Sequence, residues 1–177
     1  MNKIFLRALE IGDLDYTYKW HSDQTLYSSL AGPFRYVSFG AEREWLLIKE
    51  KFSNQEINLM ICLMDTSRPI GMLSLREIDW VTRKAHFTGL LIGDPEFRGK
   101  GIGTEALDLL LAHCFFDLGL NRIYGNVMEE NIPSIKMMEK CGFVKEGKLL
   151  QHAFKDGEFK DVFIFGILSE QYFLKRK

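Results

Sequence analysis

The sequence contains few of the residues that build metal sites and disulfide frameworks. Its three cysteines are widely spaced and form no CxxC pair, at positions Cys62, Cys114 and Cys141. Scattered thiols suit a reducing cytosol, and the apolar neighbours of each one favour a role as a small core residue. The four histidines are scattered as well, and no HExxH pair occurs. We therefore predict a cytoplasmic protein without a metal cofactor.

An excess of one charge and long apolar runs are also missing. Lysine and arginine number 23 against 24 acidic residues, so the formal net charge is −1. This balance argues against a dedicated nucleic-acid binder, which usually has a basic excess. No run of about 18 uncharged apolar residues occurs, which excludes a spanning helix. Arg7 and Glu10 interrupt the apolar start, so we expect no signal peptide and neither nucleic acid nor a membrane as a partner.

The residues that are present suit one mixed domain. The chain has 177 residues, of which 46% are hydrophobic, and we expect a single domain over residues 1–177. Apolar spacing and turn residues predict strand, two helices, three strands, helix, strand, helix and hairpin. The predicted strands are residues 4–9, 57–64, 70–78, 85–92, 122–128, 151–155 and 158–168. The predicted helices are residues 13–22, 41–52, 103–118 and 133–140, with a loop at 24–38.

The order of these elements predicts an α/β (mixed α+β) fold, in which an antiparallel meander leads into a strand–helix–strand unit. Asp156-Gly157 lies between two alternating runs and is a strong hairpin signal. Gly119 and Gly142 stand where glycines commonly end helices, and Asn131 fits the N-cap of the last predicted helix.

The segment from Arg98 to Thr104 is the most informative part of the chain. It places Gly99, Gly101 and Gly103 between a strand and an amphipathic helix. Glycine lets a ligand approach the main chain, and the helix N-terminus adds the positive end of its dipole, so the pattern predicts an anion site. The spacing matches neither Walker A nor GxGxxG, which disfavours a nucleotide-binding regulatory domain. The alternative that the glycines only form a loop stays open.

The same segment resembles the cofactor loop of a known family. Arg98-x-x-Gly101-x-Gly103 resembles the [QR]xxGx[GA] pyrophosphate loop of the GNAT acetyltransferases. The strand before it ends Leu91-Ile92-Gly93-Asp94, as strands do at this place in the family.

Two later segments extend the resemblance to about residues 57–168. Asn131-x-x-Ser134, followed by Glu139-Lys140-Cys141-Gly142-Phe143, resembles the family's NxxSxxxxEKxGF segment. Phe159-Lys160-Asp161 resembles the closing hairpin of the ribosomal-protein N-terminal acetyltransferase branch, and the spermidine acetyltransferases share this hairpin and the NxxxxxxxxxxGF segment. The resemblance implies a central, mostly antiparallel twisted sheet of about seven strands, with a splay between the fourth and fifth strands and about four flanking helices.

The resemblance also implies acetyl-CoA as co-substrate and no metal. Backbone N–H groups of the loop would hold the pyrophosphate of coenzyme A, at Arg98, Gly99, Lys100, Gly101, Ile102, Gly103 and Thr104. Main-chain groups near the end of the preceding strand would contact the pantetheine arm and polarise the thioester carbonyl, at Leu90, Leu91 and Ile92. Asn131 would hydrogen-bond the pantetheine arm, although it could also serve only as an N-cap.

The implied reaction is direct attack of a deprotonated amine on acetyl-CoA. Ser134 is the predicted acid for the departing thiolate, because this serine lies near the coenzyme sulfur in the family branch; its alternative role is to bond the helix backbone. Many GNAT enzymes have a tyrosine four residues further on, but Met138 stands there. We predict Glu77 as the general base, with His86 as a second candidate, and expect Asp79 to belong to a turn.

The implied acceptor pocket is formed by residues 20–36 and 151–158. The first of these segments is aromatic and has Asp23 as its one acidic residue, which disfavours a polycation. We therefore expect a primary amine on a protein N-terminus, an amino sugar, an antibiotic or another small molecule. Spermidine stays an alternative because Glu42, Glu44 and Asp156 could converge in space. A module that binds acetyl-CoA without efficient turnover is a further alternative, and a homodimer is possible.

Overall fold

A single seven-stranded sheet organises the protein. The computed structural model describes residues 3–30 and 32–176. The strands lie in the order β1-β2-β3-β4-β5-β7-β6, and all neighbours are antiparallel except β4 and β5. Their bounds are β1 Ile4–Ala8, β2 Ile57–Leu63, β3 Pro69–Asp79, β4 Lys84–Ile92, β5 Arg122–Met128, β6 Val144–Lys155 and β7 Glu158–Leu168. The predicted mixed sheet is confirmed.

Five α-helices flank this sheet within the described part of the chain. They are α1 Leu14–His21, α2 Phe39–Lys49, α3 Ile102–Ala112, α4 Ile132–Cys141 and α5 Ser169–Leu174. A π-helical turn, His113–Asp117, continues α3, and short 3-10 turns cover Ile11–Asp13, Gln24–Ser29 and Pro95–Phe97. The sequence predicted four of the helices but not α5. It also predicted only the second half of β6, because the first half is exposed on both faces and shows no alternation.

Apolar side chains form one cluster on each face of the sheet. Alternate residues of a strand point to opposite faces, so Ile61 of β2 joins the cluster under α3 while Met60 joins the cluster under α1 and α2. The apolar stripe predicted for the third helix is fully buried at Leu107, Leu110 and Cys114. All three cysteines are buried, as expected for small core residues, and burial raises the pKa of the Cys114 thiol to about 12.

The predicted splay lies between β4 and β5. Ser74 of β3 pairs with Gly89, but Leu75 pairs with Phe87, so Thr88 is an extra residue that forms a bulge in β4. Parallel pairing with β5 ends at the same place, with Phe87 opposite Gly125. A Cβ on Gly125 would lie 3.0 Å from the Phe87 carbonyl oxygen, so glycine permits the close approach from which the two strands diverge.

Candidate functional site

A cavity of about 510 Å³ opens where β4 and β5 diverge. Leu90 and Leu91 of β4 form part of one wall, and Asn126 of β5 lies on the strand opposite. Asn131 and Ser134 at the start of α4 complete this end. The structure thus brings together four of the residues that the sequence singled out, from two segments about forty positions apart.

The glycine loop lies at the end of β4 and enters α3. Gly99 and Gly101 have φ angles of 72° and 83°, in the left-handed region that favours glycine, and a Cβ at either position would meet no atom within 4 Å. The first i→i−4 bond of α3 runs from the Glu105 N–H to the Gly101 carbonyl. The N–H groups of residues 102–104 therefore belong to the helix N-terminus, where donors and the helix dipole favour an anion.

The non-glycine side chains of the loop contact β4, the core and a neighbouring ring, and so hold the loop in place. Arg98 donates from Nε to the Ile92 carbonyl at 3.0 Å and from Nη2 to the Gly93 carbonyl at 3.2 Å, which fastens the loop to the end of β4. Ile102 is buried in the core, and the Lys100 ammonium lies 5.7 Å from the centre of the Phe97 ring. A Cβ on Gly103 would come within 3.2 Å of the Met137 Sδ, so α3 approaches α4 closely here.

A second cavity of about 540 Å³ borders the C-terminal part of this loop. Gly101 and Thr104 line it from the start of α3, and three cationic side chains line it from α4 and the C-terminal segment, Lys140, Lys175 and Arg176. Lys175 donates to the Lys140 carbonyl and Arg176 pairs with Asp108, so two of these cations are already held in place.

The start of α4 is fixed by its cap. The Asn131 side chain accepts a hydrogen bond from the Ser134 N–H at 3.1 Å, and Gly142 ends the helix at a φ of 97°. Both predicted helix signals are therefore confirmed. The Ser134 hydroxyl forms no hydrogen bond with another described residue. Met138, which takes the place of the family's tyrosine, is fully buried and lines the cavity floor with an apolar thioether.

Glu77 and His86, the predicted base and its alternative, are not among the residues that line the cavity. The Glu77 carboxylate accepts from the Tyr124 hydroxyl at 2.9 Å and lies 3.8 Å from His86 Nδ1. The rings of His86 and Tyr124 stack with centroids 4.8 Å apart. Burial lowers the pKa of His86, against the opposing effect of Glu77. Asp79 accepts from the Thr82 hydroxyl and from the N–H groups of Val81 and Thr82, as expected of a turn.

A histidine–glutamate pair also borders the cavity, and no motif in the sequence signals it. His21, the last residue of α1, lines the cavity. Its Nδ1 lies 2.9 and 3.0 Å from the two carboxylate oxygens of Glu42, which is only 2% exposed. The two residues are 21 positions apart on different helices, so no local spacing could pair them. Glu44 is exposed and pairs with Arg43, and Asp156 occupies the hairpin tip. None of the three carboxylates that the sequence offered for spermidine lines the cavity.

Lys155 fastens the loop between α1 and α2 to the closing hairpin. Its ammonium is largely buried and donates to the Tyr27 carbonyl at 2.5 Å and to the Gly32 carbonyl at 3.3 Å. Tyr27, Leu30 and Gly32 all line the cavity, so one cation holds both ends of a short segment of its wall. Lys155 immediately precedes the Asp156-Gly157 turn of the predicted hairpin, which the structure confirms.

The charges that line the cavity are of one sign. No aspartate or glutamate occurs among the lining residues within 3–30 and 32–176, whereas the guanidinium-bearing Arg76 does line the cavity. In the same ranges, no group of three or more His, Cys, Asp or Glu side chains is arranged to hold a metal ion. None of the helices described has both the length and the apolar character that crossing a bilayer requires.

Comparison with known proteins identifies the family. The model of the acetyltransferase (GNAT) domain matches residues 3–144. The chain is 34% identical over 173 residues to the spermidine N(1)-acetyltransferase of Vibrio cholerae, covering 97% of this chain and 96% of that protein. It is 31% identical to the uncharacterized N-acetyltransferase p20 of Bacillus licheniformis, over 96% and 95% of the two chains.

The fold is shared with a solved structure from the same family. The spermidine N-acetyltransferase from Vibrio cholerae in complex with CoA and spermine superposes with a TM-score of 0.86 at 33% identity, covering 97% of this chain and 98% of that chain. The resemblance inferred from the glycine loop and the later motifs is confirmed. The chain therefore belongs to the GNAT family, and it is an acetyl-CoA-dependent N-acetyltransferase.

Proposed function

We propose that the acceptor is a primary amine on a molecule that is otherwise neutral or anionic, such as a peptide N-terminus or an amino sugar. The observation that carries this proposal is the charge of the cavity. A polycation needs carboxylates along its path, but none lines the described cavity, and Arg76 would repel a second ammonium. Arg76 lies 3.8 Å from Glu56, a distance that leaves its charge only partly compensated.

A polyamine is the second candidate acceptor. The Vibrio cholerae relative is a spermidine N(1)-acetyltransferase, and the similar solved structure from that organism holds CoA and spermine. The buried Glu42 carboxylate contacts the lining residue His21 and would be a source of negative charge beside the cavity wall.

For acetyl-CoA, we propose that the loop from Arg98 to Thr104 holds the pyrophosphate and that the second cavity receives the nucleotide end. Three cationic and two acidic residues line this cavity, Lys140, Lys175, Arg176, Glu105 and Asp108. Support for the role of the loop comes from the left-handed Gly99 and Gly101 and from the donors at the start of α3. Backbone groups of residues 90–92 would contact the pantetheine arm and polarise the thioester carbonyl, which develops negative charge during attack. Asn131 would contact the same arm while capping α4.

For the reaction, we propose that Ser134 protonates the departing thiolate. Its hydroxyl lies on the same cavity as Leu90 and Leu91, across the splay from β4. The predicted base Glu77 stays a prediction; since it does not line the cavity, it can act only through intervening water.

A panel of amines tests the proposed acceptor. Coenzyme A release is measured with acetyl-CoA and, in turn, a peptide with a free N-terminus, an amino sugar and spermidine. We expect kcat/KM for one of the first two to exceed that for spermidine at least tenfold. An uncompensated like charge at about 4 Å costs about 4 kcal/mol near a protein surface, and a tenfold preference needs only about 1.4 kcal/mol. Preference for spermidine would favour the second candidate. Tight acetyl-CoA binding without any turnover would favour a binding module.

Replacing Lys155 with methionine tests whether the acceptor wall is held by this ammonium. Lys155→Met removes two charge-assisted hydrogen bonds, each of which contributes about 1.5–3 kcal/mol. We expect KM for the acceptor to rise about tenfold, with the Kd for acetyl-CoA unchanged.

Lys160→Met is the matched control for Lys155→Met. Lys160 is on the same hairpin and pairs with Glu130 and Glu158, away from the cavity wall. We expect acceptor KM in this variant to match the wild type. An equal change in both variants, or no change in either, would show that Lys155 does not shape the acceptor wall.

A further inference from the structure

We infer that His21 is the general base that removes the proton from the acceptor ammonium and that Glu42 positions its ring. This inference rests on the proposed function, because it requires the part of the cavity beside His21 to receive the acceptor. Glu77 and His86 were the two candidates that the sequence offered for this proton removal, and neither lines the cavity.

The His21 ring is held from two sides. Both carboxylate oxygens of Glu42 lie within 3.0 Å of Nδ1, and Glu42 is buried in the first turn of α2. Trp45, one turn further along α2, meets the imidazole edge to face at a centroid distance of 4.9 Å. These two contacts restrict the rotamers open to His21, so the ring keeps its orientation when an acceptor enters, as a catalytic group requires.

The pairing with Glu42 also sets which nitrogen can accept a proton. A carboxylate is only an acceptor, so Nδ1 carries the hydrogen and the neutral ring keeps a lone pair on Nε2. Nε2 forms no hydrogen bond with any residue in the described ranges. The buried carboxylate then stabilises the imidazolium that forms when Nε2 takes a proton. His21 is the one histidine among the described residues that lines the cavity.

The proton balance of the reaction fits this arrangement. The acceptor ammonium gives one proton to Nε2, and its freed lone pair forms the new C–N bond at the thioester carbonyl carbon. When the tetrahedral intermediate collapses, the C–S bond breaks and the electron pair leaves with sulfur. The second N–H proton passes to the thiolate by way of Ser134. The products are an amide and a thiol, and the proton on His21 is released to water.

Replacing His21 with asparagine separates the base from a merely structural histidine. The asparagine NH₂ group can take over the hydrogen bond from Nδ1 to Glu42, while Nε2 is lost. Turnover is measured with the best amine of the panel and with its aminooxy analogue, which is already neutral at pH 7. We expect kcat for the amine to fall on the order of 10²-fold and kcat for the analogue to stay within about threefold, because only the amine needs a base.

His113→Asn is the matched control. His113 also pairs through Nδ1 with a carboxylate, Asp117, at 2.7 Å, but it is exposed on the helix that follows α3. We expect wild-type kinetics in this variant. Acetyl-CoA affinity, measured by calorimetry, should be unchanged in both.

Two results would overturn the inference. Equal losses for the amine and its aminooxy analogue would show that His21 only shapes the site, and undiminished kcat for the amine would remove it from the reaction. If His21→Asn does not fold, Glu42→Gln is measured in its place, with a selective loss for the amine expected and an equal loss for both acceptors overturning the inference. If the wild-type enzyme acetylates no amine of the panel, that result contradicts the proposed function instead. The panel is run before any variant is made, so the two failures can be distinguished.

Discussion

Gly101→Val is expected to abolish measurable acetyl-CoA binding while leaving the sheet and its two cores folded. Gly101 precedes α3 with a φ of 83°, and valine in this left-handed region is strained by about 1–3 kcal/mol. No atom lies within 4 Å of the added Cβ, so the substitution creates no internal clash. The new side chain instead enters the open space beside the donors of residues 102–104. We expect the Kd to rise at least about a hundredfold, which corresponds to about 2.7 kcal/mol.

The measurement is calorimetric titration with acetyl-CoA, with ATP and NAD as controls that the wild type should not bind. Gly157→Val is the matched variant, because Gly157 has the same φ of 83° and nothing within 4 Å of its Cβ, but it lies at the hairpin tip. It carries the same backbone strain without touching the loop, so its acetyl-CoA affinity should equal that of the wild type. Wild-type affinity in Gly101→Val would refute the assignment of the loop.

The sequence predicted those parts of the fold that depend on residues close together in the chain, such as an amphipathic helix or a tight turn. The stripe of Leu107, Leu110 and Cys114 has the 3.6-residue period of a helix with one buried face, and all three are fully buried. The Asp156-Gly157 turn needs two residues that tolerate positive φ, and both have it. The first half of β6 has no such pattern, because it lies at the edge of the sheet with most side chains exposed.

The acceptor end of the site could not be predicted in the same way, because its contacts are long-range. Lys155 meets carbonyls 128 and 123 positions away, and no pattern within one element signals such a pair. The direction of the Glu77 side chain was also hard to predict, although Glu77 lies within a single strand. The pairing of β3 with β4 shifts between Arg76 and Asp79, and Glu77 takes a φ of 52° there, so strand alternation does not give the direction of its side chain.

The substitution of methionine for the family's tyrosine shifts the expected acid to the start of α4. Met138 is fully buried and has a thioether, which has no proton to donate. Ser134 lies one helical turn earlier on the same cavity, and the Asn131 cap holds its backbone through the N–H rather than through the hydroxyl. The hydroxyl is therefore available for chemistry while the helix start stays fixed.

Ser134→Ala is accordingly expected to lower kcat on the order of 10²-fold, the low end of what general acid–base catalysis contributes, with little change in acetyl-CoA affinity. The cap survives the substitution because alanine keeps the N–H that donates to Asn131. Turnover is followed by coenzyme A release and affinity by calorimetry.

Ser74→Ala is the matched control for Ser134→Ala. Ser74 also lines the cavity, but its hydroxyl donates to Asn58 at 2.9 Å and is committed to that bond. We expect its loss to leave kcat near the wild-type value. If Ser134→Ala turns over at the wild-type rate, the thiolate takes its proton from water or from the acceptor nitrogen directly, and the enzyme works by positioning and by removal of the ammonium proton alone. A loss in kcat confined to Ser134→Ala, with acetyl-CoA binding intact, assigns the second proton of the reaction to this hydroxyl.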